Sequence, residues 1–260
     1  MKNQLVKLEK NEHIAIVTID NPPLNVLSSQ VTNQLRGIFD EIAHDNEIIV
    51  VILTGTGSRA FMAGADIKEF PQSIGKKGMK DTILEQHAVF NQIDFLPKPT
   101  IAVLNGLTFG GGCELAITCD IRIAEEHVQI GLPEIKLGIF PGGGGTQRLP
   151  RIVGEAKAKE LMFVGDPITA HEAEKLGLVN HVVGTGEGMK VALTMAKKIS
   201  GYSLQALSRI KKAVDEGTNM EFQAGVEREA ELFAEVFLTE DVKEGVLAFI
   251  EKRKPIFAHK

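Results

Sequence analysis

The run Ile48-Ile49-Val50-Val51-Ile52-Leu53-Thr54 is apolar with no polar alternate, and it ends at Gly55. A strand with one face in water would alternate. This one reads as a strand covered on both faces, the situation of parallel sheets packed between helices. Thr100 to Leu104 repeats the pattern after the break at Pro97-Lys98-Pro99. Parallel strands need long crossovers, and the intervening sequence supplies them. Ser28 is placed to cap a helix whose apolar positions Val31, Leu35, Ile38 and Ile42 fall on one stripe, and a second helix covers residues 81–95. Ile14 to Ile19 is a further β-branched strand, stopped by Asp20-Asn21-Pro22-Pro23, and residues 121–124 and 128–130 are short ones. The alternation up to about residue 150 predicts an α/β core.

From Thr146 onward helical patterns dominate. Thr169 caps a short helix closed by Gly177, and residues 178–183 give one more strand. Residues 188–200, 203–216, 220–238 and 239–253 then read as four helices. The chain is therefore expected to divide into a core over residues 1–195 and a helical region over 196–260 that packs on the core or on a neighbouring subunit. Gly75-Lys76-Lys77-Gly78 is the expected mobile loop.

A length of 260 residues with 43% apolar and 24% charged side chains suffices to bury a substantial core. The net charge of −5 gives no reason to expect nucleic acid or an anionic membrane as partner, so an anionic ligand would need a local cationic site. Cys113 and Cys119 have neither the spacing of a redox pair nor the number of a disulfide scaffold. The histidines are scattered with no H-E-x-x-H, so no metal is expected. The segment Met1 to Lys7 has no apolar signal core, Ala258-His259-Lys260 is no address tail, and no run of about 18 apolar residues exists to span a bilayer. A cytoplasmic enzyme is the expectation.

Gly55-Thr56-Gly57-Ser58-Arg59-Ala60 fits a dinucleotide fingerprint, but that site needs a helix next. Phe61-Met62-Ala63-Gly64 follows instead, so the glycine pair reads as a turn. Gly142-Gly143-Gly144-Gly145 is no phosphate loop, since no G-K-[ST] closes it, and no G-x-S-x-G elbow exists.

Two small-residue segments and two acids remain. Ala63-Gly64-Ala65-Asp66 and Gly110-Gly111-Gly112 leave main-chain N–H groups accessible, and the second opens a short helix. Converging on a carbonyl, two such donors form an oxyanion hole worth about 3 kcal/mol per donor; a tight strand-to-helix turn explains the glycines equally well. Glu114 lies among Cys113, Leu115, Ala116 and Ile117, where lost hydration raises a carboxyl's proton affinity; it is also placed as an acid that complements the helix dipole. Glu134 follows Pro133 and reads alone as a solvated loop acid.

The ordered set Ala63-Gly64-Ala65-Asp66-Ile67, Asn105-Gly106, Gly110 to Ala116, Cys119-Asp120-Ile121, Gly131-Leu132-Pro133-Glu134 and Pro141 to Leu149 closely resembles the crotonase (enoyl-CoA hydratase/isomerase) superfamily, from about Glu12 to Phe257. The resemblance implies an α/β, crotonase-like spiral of ββα units with a C-terminal helical region, assembled as homotrimers or homohexamers. It implies an acyl-CoA thioester substrate, coenzyme A being part of the substrate and no separate cofactor being needed. The N–H groups of Ala65 and Gly111 are then the oxyanion hole, Glu114 and Glu134 the acid/base pair, and Gly142 a holder of the water. Ala63, Asp66, Ile67 and Lys68 are expected along the substrate, with Phe249 and Lys252 reaching a neighbouring subunit's CoA. Pro23 stands where a CoA-contacting lysine often sits, in a segment one residue shorter than usual. Possession of both glutamates favours an enoyl-CoA hydratase of fatty acid β-oxidation. A methylglutaconyl-CoA hydratase, a 3,2-enoyl-CoA isomerase, and a non-catalytic scaffold or RNA-binding member remain as alternatives.

Overall fold

The computed structural model describes residues 4–260, so Met1, Lys2 and Asn3 of the opening segment lie outside the described residues. The chain begins with the hairpin β1 (Val6–Asn11) and β2 (Ile14–Ile19), then enters α1 (Ser29–His44). Ser28 caps α1 by accepting the Val31 N–H at 3.3 Å, and the face that turns inward is Val31, Leu35, Phe39 and Ile42. Phe39 takes the position expected of Ile38, which sits half-buried on the flank of the stripe. The other end of α1 is closed from a distance. Buried Lys98 donates to the Ile42 and Asp45 carbonyls at 2.7 and 2.6 Å, a cation where the helix dipole favours one.

Three ββα turns follow. The first is β3 (Val50–Gly55), β4 (Ala60–Ala63), a 3₁₀ helix (Ile67–Gln72) and α2 (Met79–Asp94). The second is β5 (Thr100–Leu104), β6 (Leu107–Phe109) and α3 (Gly111–Ala116). The third is β7 (Ile121–Glu125), β8 (Gln129–Gly131) and a 3₁₀ helix (Pro133–Leu137) leading to α4 (Gly145–Val153) and α5 (Glu155–Val164). Then come β9 (Ile168–Thr169), α6 (Ala170–Lys175) with a Thr169–Glu172 capping box, and β10 (His181–Val183). Of the strand expected over 178–183 only this last part pairs, while Leu178 and Val179 are buried as approach.

In each turn the first strand joins one sheet and the second strand another. The large sheet has the order β1-β2-β3-β5-β7-β10, parallel except for β1 against β2. The small sheet runs β4-β6-β8-β9, its first three strands parallel. Every residue of β3 and β5 is buried, as the unbroken apolar runs require.

The chain crosses between sheets at Gly55 and Gly106. A β-carbon on Gly55 would collide with the Phe61 carbonyl oxygen, and one on Gly106 would stand 2.5 Å from the Ala60 nitrogen. Asparagine amides tie these corners: Asn25 donates to the Ala60 carbonyl at 2.8 Å and Asn105 to the Gly55 carbonyl at 2.6 Å. The segment after Gly57 continues as β4, not as a helix, so the fingerprint-like glycines form a corner.

One core lies between the sheets and α1, α2 and α3; the other lies on the outer face of the large sheet under α7 (Gly188–Ile199). Ala192 and Ala196 face that sheet, their small side chains letting helix and strands approach closely. Residue 195, where the sequence reading divides the chain, falls inside α7. The last helices are α8 (Leu204–Gly217), α9 (Phe222–Val236) and α10 (Glu240–Glu251). Buried Asp241 locks the tail against them, accepting from the Ser203 hydroxyl at 2.5 Å and from the Ala258 and His259 N–H groups at 2.8 and 2.9 Å. Phe222, Phe233, Phe237 and Leu238 on or beside α9, and Phe249 and Ile250 on α10, are exposed in the single chain. No helix among the described residues is long and apolar enough to cross a membrane.

Candidate active site

The parallel strands of the small sheet end in register: Ala63 pairs with Phe109, and Phe109 with Gly131. Each strand end releases a segment into the same space. After β4 come Gly64 and Ala65, after β6 Gly110 and Gly111, after β8 Pro133 and Glu134. Gly110 is fixed there by its N–H, which donates to the Gly131 carbonyl at 2.9 Å. Its φ of +51° and ψ of −124° lie where only glycine is comfortable, and this bend turns the chain into α3. A β-carbon on Gly111 would meet the Ala65 nitrogen at 3.6 Å, so the two residues stand side by side. Neither N–H donates to an acceptor among the described residues. They are free to grip an external oxygen, which is what an oxyanion hole requires.

These segments border a cavity of about 250 Å³, lined also by Ile67, Phe70, Ile83, Gln86, Phe109, Leu137, Ile139 and Phe140. Both candidate acids line it, from different walls. Glu114 is buried on α3, and its Oε1 accepts the N–H groups of Gly143 and Gly145 at 2.7 and 2.8 Å. Burial pushes its carboxyl up, while the Gly145 and Gly143 N–H groups and then the Arg148 charge draw it back down. Glu134 sits on the 3₁₀ helix that opens at Pro133. Its Oε2 is buried with no hydrogen-bond partner. Burial first, and then the charge of Glu114, push the Glu134 carboxyl up to about 7. Burial thus raises both neighbouring carboxyl groups, but two N–H donors and a cation offset it at Glu114, so the pair is unlike, an arrangement suited to moving a proton on and another off one substrate.

Ala63, Ala65, Ile67, Gly111, Glu114, Glu134 and Gly142 all line the cavity. Asp66 turns its carboxylate elsewhere, capping the first 3₁₀ helix by accepting the Lys68 N–H at 3.1 Å. Lys68 is exposed and outside the lining, and Phe249 and Lys252 stand exposed at the end of α10. Sequence reasoning missed the grip of Gly143 and Gly145 on Glu114, because a glycine run shows neither which amides point inward nor toward what. It also missed Gln86, whose Nε2 would be 3.1 Å from a β-carbon on Gly143. The stripe of α2 that carries Gln86 could have drawn attention to it only once the packing of α2 over the cavity was known.

Comparison with known proteins agrees with this geometry. The family model described as enoyl-CoA hydratase/isomerase matches residues 9–260. A short-chain-enoyl-CoA hydratase of Clostridium acetobutylicum is 45% identical over 96% of this chain and 95% of its own, and a crotonyl-CoA hydratase of Syntrophomonas wolfei is 39% identical over the whole of both. The crystal structure of an enoyl-CoA hydratase from Bacillus anthracis superposes with a TM-score of 0.94 at 36% identity, covering 99% of this chain and 100% of that one.

Proposed function

This chain belongs to the enoyl-CoA hydratase/isomerase family, and from that premise we propose that it adds water across the 2,3 double bond of a 2-enoyl-CoA to give the 3-hydroxyacyl-CoA. The observation that carries the reading is the pair of unlike carboxyl groups on one cavity beside two unengaged amides. The thioester oxygen docks between the Ala65 and Gly111 N–H groups, which stabilise the negative charge that grows as C3 is attacked. Glu114, held by two N–H donors, is the base that takes the proton from water. Glu134, whose environment favours the protonated form, delivers a proton to C2. Gly142 borders the space between them and helps hold the water. Coenzyme A travels with the substrate, and no separate cofactor takes part.

The lining carries no lysine, arginine or histidine, and its only charged side chains are the two glutamates. A second carboxylate on the acyl group would therefore enter an anionic, poorly hydrated space with nothing to pair it. That favours a short uncharged enoyl chain over methylglutaconyl-CoA. The exposed apolar side chains of α9 and α10 support assembly as a homotrimer or homohexamer, with Phe249 and Lys252 reaching the CoA of a neighbour and Lys68 serving the chain's own. A role in β-oxidation in the cytoplasm fits this chemistry.

The test is to follow loss of the conjugated thioester absorption with crotonyl-CoA, longer 2-enoyl-CoA and 3-methylglutaconyl-CoA. Turnover of crotonyl-CoA with little or none of the dicarboxylic substrate is expected. No turnover of any 2-enoyl thioester overturns the proposal, and a monomer in light scattering overturns the assembly.

A further inference from the structure

We propose that Arg148 is a positioning residue for the hydration, fixing the glycine loop that grips Glu114 and supplying the positive charge behind it; this rests on the hydratase reading above. Arg148 is absent from the cavity lining, so it acts through other groups. Its side chain is mostly buried, and its guanidinium is held from two sides. Nε donates to Asp94 Oδ2 at 2.6 Å and Nη2 to Asn91 Oδ1 at 2.7 Å, both on the last turn of α2. Nη1 lies over Gly144, where any β-carbon would collide with it.

Gly144 is the residue between the two donors to Glu114, and its φ of +107° turns the flanking amides inward. The Arg148 N–H also returns to the Gly144 carbonyl at 2.8 Å. A continuous path of contacts therefore runs from α2 through the guanidinium and Gly144 to the oxygen of the proposed base. Two nitrogens of a planar group bond to α2 while the third packs on Gly144, which an ammonium cannot reproduce. The charged and titratable groups around this path are His87 and Asp94 on α2, Glu114 on α3, Arg151 on α4, Asp215 on α8 and Glu134 across the cavity. Of these, Arg148 is the cation that favours ionised Glu114.

The experiment compares Arg148→Met, Arg148→Lys and Asp94→Asn with the full-length protein. It reads kcat and KM for crotonyl-CoA across pH, and the protonated-carboxyl infrared band that Glu114→Gln removes. In R148M, kcat should fall about tenfold to a hundredfold, the scale of a misplaced catalytic group, with KM little changed. Its acidic limb, and the infrared titration of Glu114, should move to higher pH because the neighbouring cation is gone. R148K should restore the limb but only part of kcat. D94N should move the limb the other way, since it removes the anion that faces the cation. Opposite shifts in R148M and D94N are something a purely structural arginine does not produce. Wild-type kcat and an unmoved titration in R148M overturn the proposal, as does an equal loss in all variants with no shift in any. If R148M fails to fold, R148K and D94N decide it by the same signs. Should the unaltered protein hydrate no enoyl thioester, the hydratase reading falls and the infrared titration still decides the role of Arg148.

Discussion

The two walls of the cavity hold the same functional group in opposite ways. On the glycine-loop wall, Glu114 is gripped by two backbone donors with a cation behind them. On the 3₁₀ wall, Glu134 has an oxygen with no partner and a proton affinity raised into the neutral range. Nothing about a glutamate fixes its role. Burial raises both groups, and the two donors at Glu114 offset it more than anything at Glu134 does, so the backbone around each group is what would set the proposed base apart from the proposed acid.

The most severe way to break this comparison is to remove the chemistry from one wall and leave its shape. Glu114→Gln should lower kcat by about 10²–10⁴ with acyl-CoA binding retained, because a glutamine oxygen still accepts the two N–H groups. Glu134→Gln should fall in the same range, and the double variant should lose little more than either single one, as expected of groups that act together. Steady-state kinetics with crotonyl-CoA checks both, and near-normal turnover in either variant removes that wall from the mechanism. A geometric disturbance is smaller. A β-carbon at Gly143 would stand 2.6 Å from Glu114 Oε2, so Gly143→Ala should cost about a hundredfold in kcat.

Protonation sharpens the contrast further. As proton donor Glu134 must be protonated, so kcat/KM for hydration should fall as pH rises through about 7, and because the reaction exchanges no net proton, kcat/KM for dehydration of the 3-hydroxyacyl-CoA should follow the same profile. The limb belongs to the coupled pair, and Glu134→Gln should abolish it. The smallest effect is on stability. The folded value of about 7 lies above the ordinary 4.5, so the contribution of Glu134 is full below 4.5 and is lost as pH rises through about 7. Solvent contact screens part of it. Glu134→Gln should therefore raise Tm at pH 8 by up to about 2–4 °C, the equivalent of about 1 kcal/mol in a chain of this size, and by less at pH 5. Equal shifts at the two pH values would show that the orphaned oxygen costs nothing.

The large sheet was readable because β3 and β5 are apolar on both faces and end at glycine or proline breaks. The helix caps at Ser28 and Thr169 were readable because capping is local. Of the small sheet only β8 was, as the short strand over 128–130. β4 and β6 are four and three residues long, too short for periodicity to register. β1 escaped because its alternation is masked by Lys7, Glu9 and Lys10 on an edge strand. Glu114 and Glu134 were legible as a pair only through family resemblance, since each alone reads as an ordinary acid. The donors to Glu114 lie 29 and 31 residues away, a relation that no local pattern encodes.

The in-register ends of β4, β6 and β8 carry a consequence for how such a site can change. Neighbouring strands stand about 4.8 Å apart, and the two amides and the acid each leave a successive strand at nearly the same height. Hydrogen bonding along the small sheet thus acts as a ruler for the reaction. Other residues that line the cavity, among them Ile83, Leu137 and Phe140, come from helices and loops off that ruler. The shape of the cavity can be rewritten there without rescaling the distances between the two amides and the acid.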